Sequence, residues 1–309
     1  MKKGWNKESI HIRHKKTLLF FLIVLAIIIA ILLIILISPK PAANVAVIQV
    51  KGPLLTGEED FPLGYTYSDD LIELIDQISK NPKIQAVVFE INSGGGSAVA
   101  SQEIADAVLK ISEKKLTIGV IREIGASGAY WVASACDYII SSPMAITGSI
   151  GVMGSYLEYA GLLERYNITY QRLVSGEYKD LGTPYKELTD EEREILQKVL
   201  DSVYDKFVSA IAVNRNLSES QVRRMATGEF YLGEDAKDMG LIDELGNMDS
   251  ALTYINKTLG IEPKVREYKK KTGFSIFYSG ATQVAYWMGK GIGSSLTDLN
   301  LENSLSIRT

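Results

Sequence analysis

The sequence predicts an α/β fold behind an N-terminal transmembrane helix. Two observations predict the α/β class: strand-like and helix-like segments alternate from residue 44 onwards, and the strands contain few polar residues, as in parallel sheets covered on both faces. The third observation is an unbroken apolar run of twenty residues from Leu18 to Ile37. As a helix this run is about 30 Å long, which matches the hydrocarbon thickness of a bilayer.

The sequence predicts that the chain has five parts. We expect a cytoplasmic basic tail at 1–16, a transmembrane anchor at 17–38, a short linker at 39–43, a folded domain at 44–262 and a C-terminal tail at 263–309. The last part differs in composition from the domain, and its apolar residues have no regular spacing, so the sequence assigns it no role.

Charge around the apolar run predicts its orientation. The basic residues before it are Lys2, Lys3, Lys7, Arg13, Lys15 and Lys16. With Glu8 they give the tail a net charge of +5, whereas only Lys40 and Lys51 occur in the twenty residues after the run. The positive-inside rule then keeps the N-terminus cytoplasmic and places the domain outside. A cleaved signal peptide is the alternative, since small residues follow the run, but the apolar region of a signal peptide is shorter.

The domain begins with alternating strands and helices. Strands are predicted at 44–52, 84–92 and 116–123, with helices at 68–81 and 97–115 between them. Ser68 is the predicted N-cap of the first helix. Connections of this kind are right-handed crossovers between parallel strands.

The later elements are a short helix, a strand and one long helix. The short helix at 126–136 contains "AYWVA", which we expect to anchor it in the core, and a strand follows at 137–142. Thr189 and Glu192 form a capping box at the start of the long helix. Its predicted apolar face consists of Leu196, Val199, Val203, Phe207 and Ile211.

Charge and cysteine content exclude several functions. The chain carries a net charge of −4, so everything after the basic tail carries −9 and is a poor nucleic-acid binder. The single cysteine, Cys136, cannot form an internal disulfide, and its apolar neighbours indicate a buried, inert thiol. The sequence contains no Cys/His cluster of the kind that binds zinc. We therefore predict no metal and no cofactor.

The segment "GASGAYWVA" (125–133) places Ser127 among small residues, as a nucleophile requires, but a serine also needs a base. Both histidines, His11 and His14, precede the apolar run and lie across the membrane from the domain, so a Ser-His-Asp triad is excluded. A lysine is a strong base once burial has made it neutral. A Ser/Lys pair is the remaining chemistry, and spacing alone leaves both Lys179 and Lys186 open.

Five segments resemble, in this order, the motifs of the signal peptide peptidase A family. They are "INSGGGS" (91–97), "GASGAYWVA" (125–133), "TGSIGV" (147–152), "GEYKD" (176–180) and "GLIDELG" (240–246). The resemblance covers residues 44–262 and implies a Clp-protease/crotonase-like fold. Members of this family are membrane-anchored Ser/Lys proteases.

The resemblance assigns a role to each matching residue. It implies that Ser127 is the nucleophile, that Lys179 is the general base and that Ser149 orients this lysine. The amides of Gly96 and Gly128 would form the oxyanion hole. The chain departs from the family pattern at Gly94, where proline is usual, and at Ala129, where glycine is usual.

The implied activity is endoproteolysis of signal-peptide remnants or other apolar peptides at the membrane. The resemblance also implies a homo-oligomer whose sites are shared between protomers. A non-catalytic scaffold of the same fold is one alternative, since this fold hosts several functions. A penicillin-recognising serine enzyme is another, because Ser112 and Lys115 form S-x-x-K and residues 271–273 read K-T-G. However, "ISEKK" is predicted to close a helix, whereas S-x-x-K should open one.

Overall fold

The computed structural model describes residues 23–25, 27–30, 43–58 and 64–269 of the chain. The chain divides into two units, 1–42 and 43–309. In the first unit the described residues are helical. Most of the predicted span, together with the basic tail and the residues from 270 onwards, lies outside the described residues. Among those that are described, no helix has the length and apolar character needed to cross a bilayer.

The second unit is built on a sheet of eight strands. The described strands are β1 Val45–Lys51, β2 Leu54–Leu55, β3 Thr66–Tyr67, β4 Ala86–Ser93, β5 Leu116–Ala126, β6 Tyr138–Ser141, β7 Ile146–Gly148, β8 Phe230–Leu232, β9 Glu244–Leu245 and β10 Val265–Tyr268. The main order is β10-β1-β4-β5-β6-β9, while β7 pairs with β5 and with β8. Only the β7–β8 pair is antiparallel among the described pairs, and β2 and β3 form a separate ribbon.

Eight helices belong to the described part of this unit. They are α1 Ser68–Ser79, α2 Ala98–Ser112, α3 Gly128–Ser134, α4 Ala160–Arg165, α5 Asp190–Asn214, α6 Glu219–Met225, α7 Gly233–Asp238 and α8 Met248–Leu259. Buried residues of α1, α2, α3 and α5 pack on one face of the sheet around Phe89, and α8 packs on the other around Val88. Because both faces are covered, β4 is buried along almost its whole length. The α/β prediction is confirmed, and the layered parallel sheet fits the Clp-protease/crotonase-like fold.

Two local predictions about helices were wrong. Ser68 is the first helical residue and not the N-cap, which is Tyr67, and the Ser68 hydroxyl donates to Glu103 Oε2 at 2.7 Å. The apolar face of α5 is buried only towards its C-terminal end, at Phe207 and Ile211, whereas Val199 is 58% exposed. The first half of α5 extends beyond the core. The capping box of Thr189 and Glu192 is confirmed.

Residues 155–189, which we call the arm, leave the body of the domain between β7 and α5. No residue from 151 to 191 is buried, although the stretch contains many leucine and tyrosine side chains. The arm includes α4, and Lys179 lies in a turn near its end. This stretch therefore contributes no side chain to the core.

Candidate active site

Ser127 lies in the sharp turn between β5 and α3. Its backbone angles are φ 53° and ψ −126°, and a positive φ is uncommon for any residue other than glycine. The turn is held by hydrogen bonds from Ser127 N to Gly148 O (2.8 Å) and from Trp131 N to Ser127 O (3.0 Å). A strained strand-to-helix turn of this kind exposes the side chain of a nucleophile at the end of a sheet.

The Ser127 hydroxyl is left free by the fold. Ser127 occupies the N-cap position of α3, where a serine usually accepts a hydrogen bond from the helix, but its side chain makes no such bond. Within the part of the chain that the structure describes, its Oγ has no hydrogen-bond partner. The ordinary structural explanation for a serine at a helix start therefore does not account for Ser127.

Ser149 is placed beside Ser127 by strand register. In the parallel β5–β7 pair, Ala126 is aligned with Gly148, so the two serines follow aligned residues and their backbones are about 5 Å apart. Ser149 also has a positive φ, 50°, and its amide donates to Glu229 O at 2.7 Å. Two strained serines thus lie at one edge of the sheet.

Gly96 and Gly128 lie where only glycine fits. A Cβ on Gly128 would be 2.1 Å from Ser101 Oγ, and one on Gly96 would be 2.2 Å from Leu54 O. The same Cβ on Gly128 would lie 3.5 Å from Gly96 N, so the two glycines are neighbours. Neither amide donates to another residue in the described part of the chain, and Gly128 is the first residue of α3, where amides lack helical partners. Two free amides next to a serine are suited to binding an oxyanion.

The two departures from the family pattern are accommodated. A Cβ on Gly94 would meet only Ile124 Cδ1, at 3.7 Å, so this position does not require glycine. Ala129 is fully buried in α3, and its methyl group fits there.

These residues surround a cavity of about 970 Å³. Gly94, Gly96, Ser127, Gly128 and Ser149 form its polar side. Its apolar side includes Trp131 and Phe207, whose rings stack at a centroid distance of 4.7 Å, together with Leu200 and Phe230. The expectation that "AYWVA" anchors the core holds for Tyr130, which is fully buried, whereas Trp131 also faces the cavity.

The cavity lacks a strong base. Among its described lining residues Asp201 and Tyr204 are titratable, and neither lysine nor histidine is present. Lys179 lies in the exposed turn of the arm, outside the lining, and its side chain makes no hydrogen bond within the described part of the chain. The structure therefore brings together Ser127, Ser149 and the two glycines, but does not bring the predicted lysine to them in one chain.

Lys186, the other lysine left open by spacing, is already engaged. Its Nζ binds Glu192 Oε1 and lies 3.5 Å from Asp180 Oδ1. The hydrogen bond to Glu192 raises the pKa of Lys186, with Asp180 acting in the same direction. An amine held in its charged form is unsuited to remove a proton from a serine.

Comparison with known proteins identifies the family. The sequence profile of peptidase family S49 matches residues 109–262. A putative protease of Methanocaldococcus jannaschii is 35% identical over 242 residues, which are 78% of this chain and 77% of the relative. The chain belongs to peptidase family S49. The profile match includes Ser127, Ser149 and Lys179.

Other relatives are named as SppA proteases. A putative signal peptide peptidase SppA of Enterococcus faecium is 35% identical over 230 residues, covering 73% of this chain and 66% of the relative. The chloroplastic serine protease SPPA of Arabidopsis thaliana is 30% identical over 220 residues, covering 71% of this chain and 32% of the relative. The chain is a serine peptidase of this SppA type.

Lys115 shows why a lowered pKa alone does not find the base of this S49 peptidase. Burial, with a smaller contribution from Lys114, lowers the pKa of Lys115. However, its Nζ donates to Asn81 O at 2.9 Å and to Ile84 O at 2.7 Å. Lys115 also precedes β5 whereas Ser127 follows it, and eleven residues of strand separate them by roughly 35 Å. Ser112 ends α2, as expected, so S-x-x-K is not a site here.

Sequence reasoning missed Ser101, which lies next to Gly128. Ser101 is fully buried in α2, and its Oγ donates to Ser97 O at 2.8 Å. It fills the space that a side chain on Gly128 would need. The sequence feature that could have revealed Ser101 is its place on the apolar face of an amphipathic helix, between Ala100 and Ile104.

Proposed function

We propose that this S49 peptidase is a membrane-anchored endopeptidase in which Lys179 of one protomer serves as general base for Ser127 of its neighbour. The observation that carries the proposal is the composition of the cavity: it contains a free serine and two free amides, but its titratable lining residues, Asp201 and Tyr204, are weakly suited to deprotonate a serine. A carboxylate has a pKa near 4, whereas a neutral lysine is a strong base. The missing base has to come from outside the cavity.

Each residue has one task in the proposed reaction. Neutral Lys179, oriented by Ser149, accepts the Ser127 proton as Ser127 Oγ attacks the peptide carbonyl. The amides of Gly96 and Gly128 stabilise the oxyanion of the tetrahedral intermediate. The lysine then gives its proton to the leaving amine, and water, deprotonated by the same lysine, hydrolyses the acyl-enzyme.

The exposed side chains of the arm support assembly. Leu157 is 72% exposed and Leu173 is 95% exposed, and Tyr166 and Ile168 between them are also largely exposed. Apolar side chains gathered in one exposed segment are typical of a protein interface. Each chain has one copy of the catalytic unit, and a closed ring of identical subunits would bring the arm of one copy to the cavity of the next.

The proposed substrates are apolar peptides at the membrane, such as signal-peptide remnants. The stacked rings of Trp131 and Phe207 give the cavity an apolar wall suited to such side chains. We place the anchor at 17–38, the N-terminus in the cytoplasm and the catalytic domain on the other side of the cell membrane. Nucleic acid, metal and cofactor have no part in the proposed activity.

Cleavage of an apolar peptide by purified full-length variants tests the proposed dyad. Ser127→Ala and Lys179→Ala are both expected to lose cleavage, whereas Lys257→Ala, which removes an exposed lysine on α8, retains it. Wild-type activity should rise with pH through a midpoint below about 10.4, the ordinary pKa of lysine, because the base must be neutral. Undiminished cleavage by Ser127→Ala would overturn the proposed dyad, whereas a wild-type protein that cleaves no peptide would favour the scaffold alternative.

Co-assembly of the two inactive variants tests sharing between protomers. In a random mixture of Ser127→Ala and Lys179→Ala chains, one interface in four pairs an intact serine with an intact lysine, so about a quarter of wild-type activity should return. If each site came from a single chain, no activity would return. The control is the same mixture prepared from separately assembled, non-exchanging variants.

A further inference from the structure

The turn that carries Lys179 is fixed by ion pairs rather than by a core. None of residues 176–182 is buried, so apolar packing cannot set the position of the lysine. The described polar contacts of the arm are concentrated on this turn. They join it to residue 172 on one side and to the start of α5 on the other.

Arg172 makes a two-pronged contact with the carboxylate that follows Lys179. Its Nε donates to Asp180 Oδ2 at 2.7 Å and its Nη2 to Asp180 Oδ1 at 2.9 Å. The same Nη2 donates to Glu177 O at 2.8 Å, so one guanidinium spans the turn from residue 177 to residue 180. Paired donors in a planar fork fix orientation as well as distance. The Asp180 side chain is only 10% exposed, and Arg172 lowers its pKa to about 2.

Further contacts join the turn to α5. Lys186 lies between Asp180 and Glu192, and Glu192 is part of the capping box at the start of the helix. The Tyr178 hydroxyl donates to Glu191 Oε1 at 2.6 Å. Residues further along the same helix, including Leu200 and Phe207, line the cavity. The start of α5 therefore holds the turn that contains Lys179, and a later part of the same helix lines the cavity.

We infer that Arg172 is a positioning residue for Lys179: by binding both oxygens of Asp180 it fixes the turn and prevents that carboxylate from pairing with the adjacent lysine. The inference rests on the proposed role of Lys179 as the base. A free carboxylate stabilises the charged form of a neighbouring amine, which is the form that cannot accept a proton. The charged groups that face Asp180 are Arg172 and Lys186, and Glu192 lies beyond Lys186.

Peptide cleavage across a pH range tests the inference with Arg172→Gln in the full-length protein. We expect kcat to fall about ten-fold, and the pH at half-maximal activity to rise by about one unit, because Asp180 then keeps only its longer contact with Lys186 and can pair with Lys179. In the double variant Arg172→Gln/Asp180→Asn the pH midpoint should return to that of the wild type while kcat remains low. Arg122→Gln is the matched control, since Arg122 is also exposed and forms an ion pair, with Glu90, outside both the arm and the cavity lining.

A second readout does not need an active or assembled enzyme. Acetic anhydride acetylates Lys179, and peptide mass spectrometry measures the rate of this reaction at several pH values. The midpoint for Lys179 should rise in Arg172→Gln and return in the double variant, while that of Lys257 in the same digest stays constant. An unchanged Lys179 midpoint in Arg172→Gln would overturn the inference, and so would a shift that Asp180→Asn does not reverse. Full cleavage activity in Lys179→Ala would instead overturn the proposed function.

Discussion

The turn that carries Ser127 is enclosed by the core, whereas the arm that carries Lys179 has no buried residue. All seven residues of α3, directly after Ser127, are buried, and β5 before it pairs with three neighbouring strands. Lys179 is held instead by the contacts of Arg172, Tyr178 and Lys186 at the surface. The nucleophile is thus placed by steric packing and the lysine by polar contacts.

This difference suggests how the peptidase limits its own activity. A strained serine beside free amides can be prepared in each folded chain, since packing stabilises it against its strain. A base that lies on an exposed arm would reach such a serine only after two chains meet. In the proposed mechanism, folding makes the oxyanion hole and assembly adds the base.

Gly128→Ala, in the buried region around Ser127, is expected to have the largest effect on kcat. The new methyl group would lie 2.1 Å from Ser101 Oγ and 3.0 Å from Ser101 Cβ, so Ser101 has to shift, and we expect the Gly128 amide to move as α3 adjusts. Loss of one oxyanion donor lowers kcat by roughly 100-fold or more, and we expect at least this loss in peptide cleavage.

The matched control is Gly161→Ala, because a Cβ there meets nothing within 4 Å. The double variant Gly128→Ala/Ser101→Gly removes the clashing hydroxyl and should recover part of the activity. Circular dichroism checks that each variant is folded. Wild-type kcat in Gly128→Ala would show that the packing around this amide is irrelevant to the reaction.

Leu173→Asp is expected to give the next largest effect, on the arm. Leu173 is 95% exposed, so a charge costs nothing in the folded chain, but it would be buried in the proposed interface. We expect the assembly to weaken and cleavage to fall about ten-fold at low enzyme concentration, with an unchanged melting temperature. Light scattering after gel filtration measures the assembly. Val213→Asp, at a 77% exposed position on α5, is the control, and equal behaviour of the two variants would contradict an interface at the arm.

The contrast between the regions also explains what could be predicted from the sequence. Apart from the two-residue strands β2 and β3, the order of strands and helices up to β6 follows from local periodicity, and Ser127 could be selected from its small neighbours and the family pattern. The proximity of Ser149 to Ser127 depends on the β5–β7 register, which no local pattern contains. Ser101 was missed because its role comes from packing between two helices. Burial of Val199 was wrongly predicted because periodicity does not show where a long helix leaves the core.

The last prediction compares one lysine from each region, Lys115 of the core and Lys179 of the arm. The smallest expected change is the loss of stability in the Lys115 variant. Lys115→Met removes the two hydrogen bonds to Asn81 O and Ile84 O, and we expect the free energy of unfolding to fall by about 1 to 3 kcal/mol. Urea denaturation measures this change, while cleavage by the folded enzyme should remain at the wild-type level because Lys115 lies at the opposite end of β5 from Ser127. Lys179→Met should do the reverse, losing cleavage at unchanged stability. Equal stability losses in both variants would mean that Lys179 also has a structural role, and the separation between a packed nucleophile and a surface-mounted base would then be wrong.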